Sequence, residues 1–316
     1  MNSRMLKKVK AGIYQASAVH LDKEASMIKL LSKIDEAAKE GLNVLVLGET
    51  WLSGYPAWID TCKGVALWDD PAMKKVYGKI YESSVEVPGT ETAKLAEKAK
   101  KYKMVICLGV NEKVVAGPGN GTIYNSLLIF DEKGALAVHR RKLMPTFSEK
   151  LIYGIGDGKD LKAADTDFGR VGGLICWEHW MPLARQAMHN SGEHIHVALW
   201  PTLHETHQMA SRHYAFESRS FVLAAGQLMK VSDIPPELDI PDELKNDPDK
   251  NILWGGSCII GPDGKYIVEP VFDEEKLIVA ELDINRTIEE RMSLDTSGHY
   301  QRPDVFSFEV NPRRQE

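Results

Sequence analysis

Short apolar runs alternate along the chain with segments in which apolar residues recur every three or four positions. The runs "KAGIYQAS" (10–17), "NVLVLGE" (43–49), "MVICLGVNEK" (104–113), "RVGGLICWE" (170–178), "IHVALWP" (195–201), "FVLAAGQ" (221–227) and "KLIVAELDI" (276–284) predict strands. Between them, 23–41, 89–103, 182–192 and 207–220 carry helical spacing. The first of these helices closes at Gly41, a natural C-cap, and the third opens on Pro182, a favourable first-turn residue. "TIYNSLLIFDEKGALAVHRRK" (122–142) reads as two strands about a turn at 131–134, and "SCIIGPDGKYIVEP" (257–270) as a hairpin about 262–264.

Hairpins mixed with strand–helix units predict an α/β protein with a mixed sheet, or two packed sheets, and helices outside. Nothing in the pattern divides the 316 residues into two cores, so one domain is expected, with a core at about 9–284 and a polar tail at 285–316. The Pro- and Asp-rich stretch 232–251 reads as a long surface loop. No internal repeat is present.

Composition narrows the classes. The formal charge is −6, from 39 Lys and Arg against 45 Asp and Glu, with the two signs interspersed. No basic run with interleaved aromatics speaks for nucleic acid. No apolar run approaches the ~18 residues of a membrane span, and the basic start lacks a hydrophobic segment after it, so a cytoplasmic protein is expected. Cys62, Cys107, Cys176 and Cys258 lie far apart with no CxxC pair, which gives no support to a zinc or redox motif.

Three strand ends carry reactive side chains: Glu49 after "NVLVLG", Lys142 after "LAVHRR" and Cys176 after "VGGLI". Strand ends in α/β proteins are where a rigid scaffold meets a cleft. A free thiol is only a few per cent ionised near neutral pH. A buried carboxylate could take its proton during attack, and a lysine could hold the charge that develops. The trio suits attack on a polarised carbon such as that of a nitrile, amide, ester or carbamoyl group. Each residue also has an ordinary reading: Glu49 as an ion-pair partner, Lys142 as one of several solvated cations in "HRRK", Cys176 as an inert buried thiol. Spacing and composition leave these alternatives open.

The sequences around the three residues resemble the nitrilase superfamily of carbon–nitrogen hydrolases, over about 9–308. "VLGETWLSGYP", "HRRKLMPTFSEKLIYGIGDG" and "GGLICWEHWMPL" match its three motifs in order, with 93 residues from Glu49 to Lys142 and 34 more to Cys176. The resemblance implies Glu49 as general base, Lys142 as catalytic lysine, Cys176 as nucleophile, and Glu149 in "PTFSEK" as a second, substrate-positioning glutamate. Cys-Trp-Glu after a Gly-Gly strand, with the tail "GHYQRPDVFS" (298–307), resembles the nitrilase branch. Gly48 departs from the pattern, since relatives commonly carry Pro before the glutamate.

The same resemblance implies a four-layer α-β-β-α sandwich and no metal or organic cofactor. It also implies a small nitrile and water as reactants, and the Trp177 N–H as an oxyanion-type donor. His179 fits a hydrogen-bonded neighbour of the site better than a base, because the family uses glutamate. Trp51, Tyr55, Trp58, Trp200 and His204 lie near strand ends, where aromatic residues are often core; of the aromatic residues here, Trp177, Tyr55 and His204 are the candidates for the substrate pocket. A homodimer or short homo-oligomer is expected, with 207–221 as the candidate helical interface. An aliphatic amidase or carbamoylase, a cyanide-hydrating enzyme and a catalytically silent assembly protein are the alternatives.

Overall fold

The computed structural model describes residues 8–314. The outermost residues of the expected domain, 1–7 and 315–316, lie outside the described residues. The strands are β1 (Lys8–Gln15), β2 (Val44–Val46), β3 (Val105–Lys113), β4 (Ile123–Phe130), β5 (Leu136–Arg141), β6 (Ala164–Thr166), β7 (Gly169–Ile175), β8 (Ile195–Leu199), β9 (Phe221–Ala225), β10 (Leu228–Lys230), β11 (Asn251–Ile260), β12 (Tyr266–Phe272) and β13 (Lys276–Asp283). The helices are α1 (Lys23–Lys39), α2 (Pro71–Ser83), α3 (Thr90–Tyr102), α4 (Pro182–Asn190), α5 (Glu205–Ser218), α6 (Asp242–Lys245) and α7 (Asn285–Arg291).

The strands form two sheets. The first runs β13-β1-β2-β3-β4-β5; the second runs β10-β11-β9-β8-β7-β6, with β12 added on β11. The layers follow from side-chain alternation within the strands. Val44, Val46, Val105, Cys107, Leu127 and Ile129 face the second sheet and share a core with Leu174, Ile195 and Val197. Their neighbours Leu45, Leu47, Ile106, Leu108, Leu128 and Phe130 face the other way, onto Leu30, Ile34 and Leu95 of α1 and α3. On the far side, Ala184 and Met188 of α4 and Ala210 and Tyr214 of α5 cover the second sheet. The result is the expected α-β-β-α sandwich. Central strands buried on both faces explain why "VLVL", "HVALW" and "FVLAA" read as continuous apolar runs rather than alternating ones.

Local chemistry sets the element ends. Asp22 caps α1 by accepting from the Ala25 N–H at 2.9 Å, and Gly41, at φ +73°, sits one residue beyond the Glu40 cap. Three features differ from the sequence expectation. Helix α2 was not visible in the pattern; it starts at Pro71 behind an Asp70 cap and buries only Val76, Ile80 and Ser83. The stretch 232–251 is not simply a surface loop, because Ile234 and Leu238 are buried in a side cluster with Trp58 and Tyr153. The polar tail begins with α7, whose Thr287 is buried.

Candidate active site

Each candidate catalytic residue follows a strand end. Glu49 lies three residues past β2, Lys142 directly after β5, and Cys176 directly after β7. The first two come from one sheet and the third from the other, so the site spans the seam between them. Glu49, Lys142, Glu149 and Cys176 are all at most 4% exposed. A carboxylate oxygen of Glu49, one of Glu149 and the Cys176 sulfur lie within 4.8 Å of one another.

Lys142 holds the cluster together. Its Nζ donates to Glu49 Oε1 at 2.8 Å and to both oxygens of Glu149 at 2.9 and 2.7 Å. Three potential metal ligands are thus adjacent, but the position between the two carboxylates is taken by an ammonium group. Asn125 Nδ2 donates to the same Glu49 oxygen at 2.7 Å, and Gln227 donates to the Glu49 backbone carbonyl. Glu149 is fixed in turn by the Tyr55 hydroxyl at 2.8 Å and the Thr146 N–H at 2.8 Å. Asn125 and Gln227 had escaped the sequence reading; their signal is a polar side chain within or at the end of an apolar strand.

The electrostatics follow from burial. Burial raises Glu49 to about 7, with the Lys142 charge opposing and that of Glu149 adding to the rise. Burial would lower Lys142, but the Cys176 sulfur, whenever it is ionised, and the carboxylates of Glu49 and Glu149 hold it well above its ordinary value. Burial, reinforced by Glu49, keeps the Cys176 thiol well above its usual range, while Lys142 and a hydrogen bond from the Trp177 N–H act the other way. The resting sulfur is therefore protonated and has a carboxylate of unusual basicity beside it. That arrangement suits proton removal during attack better than a preformed thiolate.

The backbone at Cys176 is strained. Cys176 has φ +51°, a left-handed conformation that costs an L-residue roughly 1–2 kcal/mol. Residues Cys176–Trp180 form a 3-10 turn. Glu178 anchors it: its two oxygens accept from the Arg140 guanidinium at 2.6 Å each, and also from the N–H groups of Leu143 and Ile175 at 2.7 Å. One buried carboxylate thus ties the end of β5, which carries Lys142, to the end of β7, which carries Cys176. Gly48 does not have a positive φ, so backbone conformation does not require glycine in front of Glu49.

Cys176 opens into a cavity of ≈ 780 Å³ whose walls include Tyr55, Phe147, Trp177, His204, His207 and Trp254. Tyr55, Trp177 and His204 had been singled out from the sequence; Phe147, His207 and Trp254 had not. Trp51, Trp58 and Trp200 are core residues, each at most 1% exposed. His179 is not placed as a base: its Nδ1 meets the carbonyl oxygen of Cys176 at 2.7 Å.

With this geometry in hand, comparison with known proteins is informative. Residues 10–292 match the carbon-nitrogen hydrolase family, and the chain belongs to it. An aliphatic nitrilase of Rhodococcus rhodochrous is 36% identical over 97% of this chain and 80% of the relative. A bifunctional nitrilase/nitrile hydratase of Nicotiana tabacum is 35% identical over 96% of this chain and 86% of the relative. Among solved structures, a carbon-nitrogen hydrolase from Helicobacter pylori superposes with a TM-score of 0.72 at 21% identity, covering 95% of this chain and 97% of that one.

Proposed function

We propose that the chain hydrolyses an organic nitrile to the carboxylic acid and ammonia, with Cys176 as nucleophile, Glu49 as general base and Lys142 as the charge-stabilising group. The observation that carries this reading is the buried Glu49–Lys142–Glu149 cluster beside the Cys176 sulfur at the wall of an open cavity. The two nitrilase relatives, each more than 30% identical over nearly the whole chain, favour a nitrile over an amide.

Glu49 takes the thiol proton as the sulfur attacks the nitrile carbon. The triple bond becomes a carbon–nitrogen double bond, and Glu49 passes the thiol proton to its nitrogen, giving a thioimidate and freeing Glu49 to act as base again. Lys142 and the Trp177 N–H face the charge that develops on nitrogen. A water deprotonated by Glu49 adds to the same carbon, ammonia departs, and a thioester remains. A second water releases the acid and restores the thiol. Two waters are consumed and no electrons are exchanged. Expulsion of the thiol before ammonia leaves releases an amide as a minor product.

No helix among the described residues is long and apolar enough to cross a membrane. A cytoplasmic location is proposed on the four buried cysteines, all free. Self-association is proposed through the outer faces of α4 and α5.

The test is ammonia and acid release from a nitrile and an amide sharing one acyl group, with Cys176→Ala as control. Acid from the nitrile with the amide nearly inert supports the reading. Hydrolysis of the amide alone moves the chain to an amide-cleaving role, and substantial turnover by Cys176→Ala removes the mechanism.

A further inference from the structure

Behind the nucleophile, a line of buried polar side chains runs away from the cavity. His179 Nδ1 meets the Cys176 carbonyl oxygen at 2.7 Å, and His179 Nε2 meets His196 Nε2 at 3.0 Å. His196 Nδ1 meets Glu193 Oε1 at 2.9 Å, and the Tyr214 hydroxyl donates to Glu193 Oε2 at 2.5 Å. None of the four side chains belongs to a residue more than 2% exposed. They come from the turn after β7, from β8, from the loop before it and from α5. The rings are also clamped: His179 stacks on Trp200 with centroids 4.8 Å apart, and His196 stacks on Tyr214 at 3.7 Å. The strand before Cys176 makes room for the line. A Cβ on Gly172 would lie 2.3 Å from Glu193 Oε1.

Hydrogen-bonding rules fix the direction of every link. A carbonyl oxygen only accepts, so His179 Nδ1 carries the hydrogen. A neutral His179 then has a bare Nε2, and His196 Nε2 must donate to it. This leaves His196 Nδ1 bare, so Glu193 donates to it through a proton on Oε1, and its other oxygen accepts from Tyr214. The alternative, an ionised Glu193 against a doubly protonated His196, has the same number of protons but separates charge in a buried site. Burial disfavours that state. It raises Glu193 to about 8, and it lowers both His179 and His196 well below their ordinary values. The charged neighbours are already engaged, Arg140 with Glu178, Arg170 with Asp165 and Arg185 with Glu217, and His189 Nε2 also meets Glu217. All four bonds therefore point the same way, toward the Cys176 carbonyl.

That carbonyl and the Trp177 N–H belong to one peptide group. Hydrogen bonds in a chain polarise one another, so a donor on the carbonyl oxygen strengthens the N–H at the other end of the same group. We propose that His179, backed by His196, Glu193 and Tyr214, is a positioning residue: it holds the Cys176–Trp177 peptide and polarises its N–H toward the sulfur and the substrate nitrogen. The second half of this statement rests on the hydrolase reading above; the first half does not.

The test compares three substitutions at His179 with one at the far end. In His179→Asn the side-chain amide stands where Nδ1 stands and keeps the donor. In His179→Gln the amide reaches the Nε2 position instead, and His179→Leu keeps volume alone. Weakening the N–H should lower kcat by about 30-fold in the Leu and Gln variants, a fraction of a full donor deletion, with KM changed by less than about threefold. His179→Asn should stay within about threefold of wild type in kcat. Glu193→Gln preserves the direction of every bond, because its amide donates to His196 and accepts from Tyr214, so its kcat should also stay within about threefold.

The second readout, the rate of Cys176 alkylation by iodoacetamide, needs no substrate. It should fall about tenfold in the Leu and Gln variants and hold in the other two. The idea is overturned if the Gln variant reacts like wild type, if Asn is as impaired as Gln, or if Glu193→Gln fails alongside them. Thermal melts of all four variants separate these effects from loss of fold. Should wild type turn over no nitrile or amide, the hydrolase reading fails while alkylation still decides the positioning role.

Discussion

Glu49 spends one carboxylate oxygen on Lys142 and Asn125, while its other oxygen, Oε2, is buried with no hydrogen-bond partner. An unpaired buried acceptor is costly, and in a catalytic base it is the free lone pair that takes a proton. Glu49→Gln keeps the shape and loses the basicity; kcat should fall by at least about 10³-fold, measured as ammonia release. The pH profile follows from the sign of the shift. A base must be ionised to act, and Glu49 loses its proton only around pH 7, so kcat/KM should rise with pH through an apparent value near 7. That value belongs to the coupled Glu49–Lys142–Glu149–Cys176 set. A profile flat from pH 5 to 8 would contradict it. Glu49, Lys142 and Cys176 stood out as candidates because each follows a predicted strand, while the family motifs around them, not their spacing, chose among their readings. Asn125, Gln227 and the His179 line were not, because their partners are set by cross-strand neighbours far away in the chain.

At the scale of elements, the placement of Lys142 depends on Glu112 of β3. Glu112 accepts from Arg141 at 2.6 and 3.0 Å, from Ser126 at 2.5 Å, and contacts His139 at 2.9 Å. It thereby pins β4 and β5 just before the lysine. Burial would raise its carboxyl, but His139 and Arg141 hold it down to about 2. A folded value below the unfolded one of about 4.3 gives stability that is complete above that pH and is lost as pH falls toward 2. Glu112→Gln should therefore cost about 3 kcal/mol in urea unfolding at neutral pH, and the gap to wild type should narrow steadily below about pH 4. Loss of strand registration should also lower kcat about tenfold. An unchanged gap at low pH would show that packing, not charge, is what Glu112 supplies. Strands and most helices were readable from periodicity. Helix α2 was missed although Asp70 and Pro71 form an ordinary helix start, and the 232–251 stretch because Pro and Asp disguise two side chains that anchor in a small core of their own.

For the molecule as a whole, a tight contact sits at Gly173, hemmed in by Val197 of the neighbouring strand β8 in its own sheet and by the opposite sheet. At Gly173 a Cβ would lie 2.4 Å from Val197 Cγ2, 2.6 Å from the Val197 carbonyl oxygen and 3.0 Å from Leu127 Cδ2 of the opposite sheet. Gly173→Ala should therefore destabilise by about 2–3 kcal/mol and lower Tm, since a backbone atom cannot step aside as a side chain would. A wild-type Tm would mean that the sheets have slack to give. The self-association proposed above would use the outer layer. Leu183, Met209 and Phe216 are 71%, 56% and 47% exposed on α4 and α5, and Arg185 and Glu217 tie those helices together at 2.7 Å. Replacing Met209 and Phe216 together by Glu should convert an oligomer to monomer in sedimentation velocity; an unchanged sedimentation coefficient would place the contact on another face.

The first sheet also carries a consequence for how the enzyme is made. Its order places β13, the last strand of the chain, on the open edge of β1, the first, with Lys8 opposite Asp283. The ribosome releases residues from the N-terminus onward at about 5–20 per second, so β1 waits with an unpaired edge until residues 276–283 have emerged. Glu49, Lys142 and Glu149 leave the exit tunnel before the thiol they serve, and Gln227, which fastens the Glu49 backbone, follows later still. A nascent chain halted short of β13 should thus hold Glu49, Lys142, Glu149, Cys176 and Gln227 while the first sheet still has an open edge beside β1. The Glu49 and Lys142 side of the site should become rigid only when β13 closes the first sheet, from which both residues come.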